Sequence, residues 1–510
     1  MFNSKSISGS IKIVIITLLA VKLVGFLKQA VIAAYFGTSG EIDKFLLVSE
    51  TMEQFGGAIC SAIAITFLTI YTEVLLKGGR KESNKLISNV LSFILPAVIF
   101  LAIIFIIFSD QIANIIAPGY DKSENAIVSK YIKIFAVTLI NIFIYYVCNS
   151  ILEAEKIFFP GKVVGVIRSF CIIISIIMLS KRLGIDAMLV GTMAYYLLES
   201  AFIFICVVKK IGFYFCKPWK DERVKYLLKI SIPLLISNGI LQIQGIIDKA
   251  IASGLPEGGV STLSYSGYLY NTTHSVLIGS ICAVIFSYFT SYVAEKSNDI
   301  LLETMYRCIR SLTLILVFVT LIFIGYSFDI VEVIYERGAF GASATEDVST
   351  AFCMYSISLV FVGIRDIIVR AHYAHKNNKK PMINGIIGVI INCSVSILLA
   401  QIWGFAGIAL GTSLSYIAIA VLSCFTIKSD IQEFRIMKLA PFFIDVIIIS
   451  VGVVVTMFLC NKFINTSITI MDFIIKVCIT GLVYICGVFL LKLEESNKIR
   501  SAILKLLKHN

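Results

Sequence analysis

The 510 residues are 58% hydrophobic and 15% charged, and apolar runs of about 20 residues recur along the chain, which excludes a soluble globular fold of this size. The formal charge of +12 does not indicate nucleic acid, because the excess Lys and Arg falls between apolar runs, where it sets topology. Thirteen cysteines are scattered singly with no CxxC pair, so they read as reduced, small packing residues rather than a metal cage.

In chain order, the first apolar run is too long for a signal-peptide core and carries Lys22 in its middle, so it is expected to be a retained helix. Apolar runs separated by polar or Gly/Pro breaks give fourteen transmembrane helices, centred near Leu23, Ile63, Val98, Ile140, Ile172, Met193, Leu241, Val276, Leu316, Leu359, Ile391, Ile417, Val453 and Tyr484. Basic residues cluster after every second pair: Lys77, Arg80, Lys81 and Lys85; Lys209, Lys210, Lys217, Lys220, Arg223 and Lys225; Lys376, Lys379 and Lys380; Lys492, Lys498 and Arg500. The positive-inside rule then places both termini in the cytoplasm.

The segment Lys22 to Gly57 reads as two antiparallel half-helices joined by a Gly/Ser turn. It holds Lys22, Lys28, Glu50 and Glu53 at a depth where a lone charge costs roughly 2.5 to 3.5 kcal/mol. With the turn near Ser39, Lys28 and Glu50 each lie about eleven residues away, about 16 Å along their helices. They are expected either to pair or to share a wet cavity. Two amines in one half-helix suit an anionic substrate such as a diphosphate.

An internal repeat follows. IIAPGYDKSENAIVSKY (115–131) has a partner in VIYERGAFGASATEDVSTAF (333–352), and ILEAEKIFFPGK resembles VRAHYAHKNNKKP, at an offset of about 220. The offset spans six helices, so both copies enter the membrane with one orientation and a pseudo-two-fold axis along the membrane normal is expected. The expected organisation is a six-helix lobe over 1–210, a cytoplasmic linker over 211–225 containing Pro218, a second six-helix lobe over 226–429, and helices 13 and 14 with a tail over 430–510.

Neither a Walker-type loop nor HExxH nor a Ser/His/Asp grouping in a polar segment is visible, so the chain is not expected to be an enzyme. In helix 8, Tyr265, Tyr268, Thr272 and Ser275 form a polar-aromatic stripe continued by Gly279, which serves either a sugar or helix packing. Asp248, Asn392, Ser396 and Thr412 are oxygen-bearing side chains in apolar helices and make a candidate sodium site, although Asp248 can equally pair with Lys249. In helix 10, Asp366 and Arg370 are spaced to pair at i, i+4, leaving Arg365 as the spare charge.

GFLKQAVIAAYFGTSGEIDKF, IIAPGYD, IDKAIASGLPEGGVSTLSYSGYL, YERGAF followed by TED, and the Tyr373 to Pro381 segment followed by GFAGIALGTS resemble the MviN/MurJ family of lipid II flippases, within the multidrug/oligosaccharidyl-lipid/polysaccharide exporter superfamily. The resemblance covers about helices 1 to 12. It implies an all-α fold of fourteen helices in two six-helix lobes, with a last helix pair forming a groove for a lipid tail. It implies substrate contacts from Lys22 and Lys28, where relatives usually carry arginine, and from Asp43, which matches an acidic residue. Two further family arginines align with Gly56 and Tyr268. The function implied is translocation of lipid II across the bacterial inner membrane by alternating access, by a monomer among membrane lipids, with Glu50, Glu53, Tyr268 and Arg365 as further contacts. The alternatives are a flippase for another lipid-linked oligosaccharide, a cation-coupled drug exporter, or a silent scaffold, against which the retained Lys22, Lys28 and Arg365 argue.

Overall fold

The computed structural model describes residues 4–216, 221–464, 469–491 and 493. Lys217, Pro218 and Lys220 of the expected linker, and Lys492, Lys498 and Arg500 of the tail, lie outside the described residues. Seventeen α-helices succeed one another among those described: α1 (Ser4–Phe36), α2 (Gly40–Ile107), α3 (Ser109–Ile116), α4 (Lys122–Ala136), α5 (Thr138–Ala154), α6 (Phe159–Leu183), α7 (Asp186–Ile211), α8 (Glu222–Ala252), α9 (Gly259–Thr273), α10 (Ser280–Ala294), α11 (Asn298–Gly325), α12 (Ser327–Tyr335), α13 (Ala342–Ser356), α14 (Leu359–Ala374), α15 (Lys379–Thr426), α16 (Ala440–Phe463) and α17 (Thr469–Leu490).

At 68 residues α2 would be about 100 Å long if straight, against about 30 Å of bilayer hydrocarbon. It therefore holds two crossings, and it breaks at Gly79, whose φ of 68° no helix accepts, just before Arg80, Lys81 and Lys85. The 48-residue α15 breaks in the same way at Trp403 and Gly404. Helices 2 and 3, and 11 and 12, expected as separate elements, are thus each a single helix turned at one point. Nine helices or joined helices are long and apolar enough to cross a membrane among the described residues, ten if the bent pair α13 and α14 counts as one. Splitting α2 and α15 at their breaks makes this compatible with fourteen crossings, and all fourteen expected centres fall on helix.

The repeat is written into the backbone. Residues with positive φ recur as Gly37 and Gly258, Gly79 and Lys296, Lys156 and Lys376, Gly184 and Gly404, close to the offset read from sequence. The short α3 and the 15-residue α4 correspond to the short α12 and the 15-residue α13. The segments expected to be outward loops are therefore largely helical.

The chain forms two compact units. The first holds the described residues up to Ser261 with Arg337–Gly341, and the second holds Thr262–Glu336 with those from Ala342 onward. The division falls after α8, beyond the 211–225 linker. In the first unit α2 packs on α4, α5 and α8, and α6 packs on α1 and α7. In the second, α13 and α14 pack on α15, while α11 bridges α14 and α16. Phe45 sets its ring edge against Tyr131 and Phe135, with centroids 5.9 and 5.7 Å away, which fixes the first turns of α2 on α4. The following turns then present Glu50 and Glu53 inside the first unit.

Candidate functional site

On α2, Glu50, Glu53, Gln54, Gly57, Ala58 and Ser61 recur at helical spacing and occupy one face. With Tyr146 of α5 and Gln242 of α8 they line a cavity of about 450 Å³ in the first unit. Two ion pairs dress this face. Lys249 of α8 hydrogen-bonds Glu50, and Arg168 of α6 hydrogen-bonds Glu53. Arg168 also reaches Glu199 of α7 at 3.4 Å and lies over the rings of Tyr195 and Tyr196, 4.7 and 5.9 Å from their centroids. Pairing is what lets so many charges persist in a membrane-spanning unit.

Lys28 on α1 lies within electrostatic reach of Arg168, Glu53 and Glu50, so the sequence placed it in the right neighbourhood. Glu50 is hydrogen-bonded by Lys249, and Lys28 shares the neighbourhood of Glu50 and Glu53. Equal depth along a hairpin fixes height only, and α8 brings an amine to that height from another direction. Lys22 lies on α1, half-buried. Asp43 is buried, and its carboxylate accepts from the backbone N–H of Gly258 at 2.8 Å and of Ser261 at 2.7 Å, capping the start of α9 from a distant helix.

The remaining candidates divide between the units. Asp248 is buried in α8 of the first. In the second, Asn392 donates to Ser396 Oγ at 3.3 Å and to Thr412 Oγ1 at 3.1 Å, which brings those three together. Arg365 is not the spare charge of helix 10. It bonds the adjacent Asp366 at 2.6 and 2.9 Å, while Arg370 lies over the Phe286 ring. Neighbouring residues on a helix do not face each other, but the long Arg365 side chain folds back, and Asp366 also meets His274 at 3.0 Å. The helix 8 stripe is altered as well. Tyr265 is buried against Tyr335 with centroids 5.2 Å apart, a packing role, and a π-helical turn over His274–Gly279 shifts the register beyond it. Tyr268, within α9, remains half-buried.

Sequence reasoning missed Arg168 and Glu199. The available signal was the one used for α1 and α2: each is an ionisable residue inside an apolar run, VGVIRSFCII and YYLLESAFIF.

A family model described as "Lipid II flippase MurJ" matches residues 32–478. A probable lipid II flippase MurJ of Rickettsia prowazekii (strain Madrid E) is 26% identical over 401 residues, 77% of this chain and 78% of that protein. The lipid II flippase MurJ of Thermosipho africanus (strain TCF52B) is 27% identical over 425 residues, 81% of this chain and 84% of its own. Among solved structures, a lipid II flippase MurJ in an inward closed conformation superposes with a TM-score of 0.80 at 23% identity, covering 96% of this chain and 99% of that one. An inward-facing multidrug resistance MATE family transporter of the MOP superfamily gives 0.70 at 13%, covering 82% and 98%. At these identities the structural likenesses show the fold.

Proposed function

The chain belongs to the MurJ lipid II flippase family, and from that membership we propose that it moves lipid II, a polyprenyl-diphosphate-linked peptidoglycan precursor, from the inner to the outer leaflet of the bacterial inner membrane. It is a multi-pass membrane transporter and not an enzyme. The observation that carries the reading is the polar cavity on α2, bordered by two ion pairs whose carboxylates face it, inside a unit whose helices are otherwise apolar. Such a cavity has a use only if a polar group must be taken into the membrane. Two compact units with a shared backbone repeat supply the two bodies that alternating access needs. In this reading both termini are cytoplasmic, the protein acts as a monomer, and Lys22 and Lys28 meet the diphosphate.

A cation-coupled exporter is the second reading, favoured by the exposure of Glu50 and Glu53 to the cavity. Rescue of cells depleted of their lipid II flippase separates the two. Growth and normal shape are expected on expression of this chain, and lysis despite normal membrane abundance would overturn the lipid II reading.

A further inference from the structure

In both ion pairs of the α2 cavity the carboxylate faces the space and the cation stands behind it. Side-chain exposure is 32% for Glu50 against 8% for Lys249, and 45% for Glu53 against 29% for Arg168. Both carboxylates line the cavity and neither of these cations does. Lys249 engages Oε2 of Glu50 and Arg168 engages Oε1 of Glu53. Each carboxylate has a second oxygen and further lone pairs with which to accept. Gln54 lies beside them in the lining, with its Oε1 buried toward Gly245 of α8 and without a hydrogen-bond partner among the described residues. The lining therefore offers two exposed carboxylates one turn apart on one helix.

A group entering here meets the two cavity-facing carboxylates before the Lys249 and Arg168 cations that stand behind them. An ammonium carries three N–H donors on a compact charge, and Glu50 and Glu53 supply free carboxylate lone pairs of the required sign. The volume of about 450 Å³ admits part of a saccharide-peptide head group.

We propose that this cavity receives a protonated amine of the cargo's head group, so that the protein selects lipid-linked cargo whose peptide bears a free ammonium, such as a diamino-acid side chain, over the same cargo with that amine blocked. The inference rests on the lipid-linked reading above and names the part of the cargo that meets α2. The diphosphate then belongs to the α1 amines Lys22 and Lys28, which are not among the residues lining this cavity.

The test uses the full chain in nanodiscs and two synthetic polyprenyl-diphosphate disaccharide-pentapeptides. Both have lysine at the third peptide position, one with its amine free and one with it acetylated. The free amine is expected to bind about tenfold more tightly, the scale of one charge-assisted contact. Glu50→Gln and Glu53→Gln should each shrink that preference. Equal affinity of the unmodified protein for the two lipids would overturn the amine proposal and leave the flippase reading standing, and it needs no variant to fold. Binding of neither lipid by folded protein would overturn the flippase reading itself.

Discussion

Arg168 of α6 closes a hydrogen-bonded pair with Glu53 of α2 while its guanidinium lies 4.7 Å from the centroid of the Tyr195 ring. It also stands between two carboxylates, since Glu199 is 3.4 Å from its other nitrogen with only 3% of that side chain exposed. Arg168→Met would leave the buried Glu199 without its cation, at a cost of roughly 3 to 5 kcal/mol. Arg168→Lys should recover part of this, because an ammonium keeps the charge but loses the fork and the stacking plane. Thermal unfolding of the detergent-solubilised protein should rank the unmodified chain above Arg168→Lys and Arg168→Lys above Arg168→Met. Equal melting of all three would remove the structural role assigned to this residue.

Asp43 has a different part. Its carboxylate satisfies two buried N–H groups at the start of α9, so Asp43→Ala orphans both and should destabilise by roughly 1 to 3 kcal/mol for each donor left without a partner. Asp43→Asn keeps an acceptor oxygen and should lose less. Hydrogen exchange would locate the damage, with faster exchange expected at Gly258 and Ser261 in the alanine variant and unchanged rates in α2 below Glu50.

A pH effect is expected at the head of α8. Burial pushes the Asp221 carboxyl up, but the Arg223 guanidinium and backbone N–H, together with the Asn89 amide, outweigh it and hold the group below its ordinary value of 3.8. A carboxyl depressed in the folded state adds stability that is fully present above 3.8 and is lost as pH falls through the lower folded value. Melting temperature followed from pH 6 downward should fall more steeply for the unmodified protein than for Asp221→Asn. Parallel curves would show that the group contributes nothing.

Sodium is our proposal for the second unit, on the oxygen-bearing cluster of Asn392, Ser396 and Thr412. An ion that binds only the folded state raises the melting temperature with its concentration. Exchange of potassium for sodium at constant ionic strength should therefore stabilise the protein, and Thr412→Val should abolish the difference. An identical response in that variant would dismiss the site.

The apolar runs and the offset of about 220 were legible because both are properties of the chain itself: length of helix and recurrence of turns. The pairing of Lys156 with Lys376, two lysines held at positive φ, shows how closely the backbone follows the sequence repeat. The face carrying Glu50 and Glu53 was legible for the same reason, since helical spacing fixes it. What crossed between helices was not. Lys249 and Glu50 are 199 positions apart, and Arg168 and Glu53 are 115 apart, so no periodicity relates them. Arg365 misled in the opposite way, because the i, i+4 rule describes where a helical residue emerges, and a long side chain can return to its neighbour Asp366.

The central claim is that this chain carries lipid II across a bilayer, and transport in proteoliposomes tests it without the complications of a cell. Purified protein is reconstituted with lipid II in both leaflets, the outer pool is consumed by an added membrane-impermeant enzyme, and the inner pool is followed as it becomes accessible. Rapid loss of the inner pool is expected with the unmodified chain and with Lys28→Arg, and slow, protein-free leakage rates with Lys28→Ala at equal folded yield. An inner pool that stays protected in the presence of the folded, unmodified protein would contradict it.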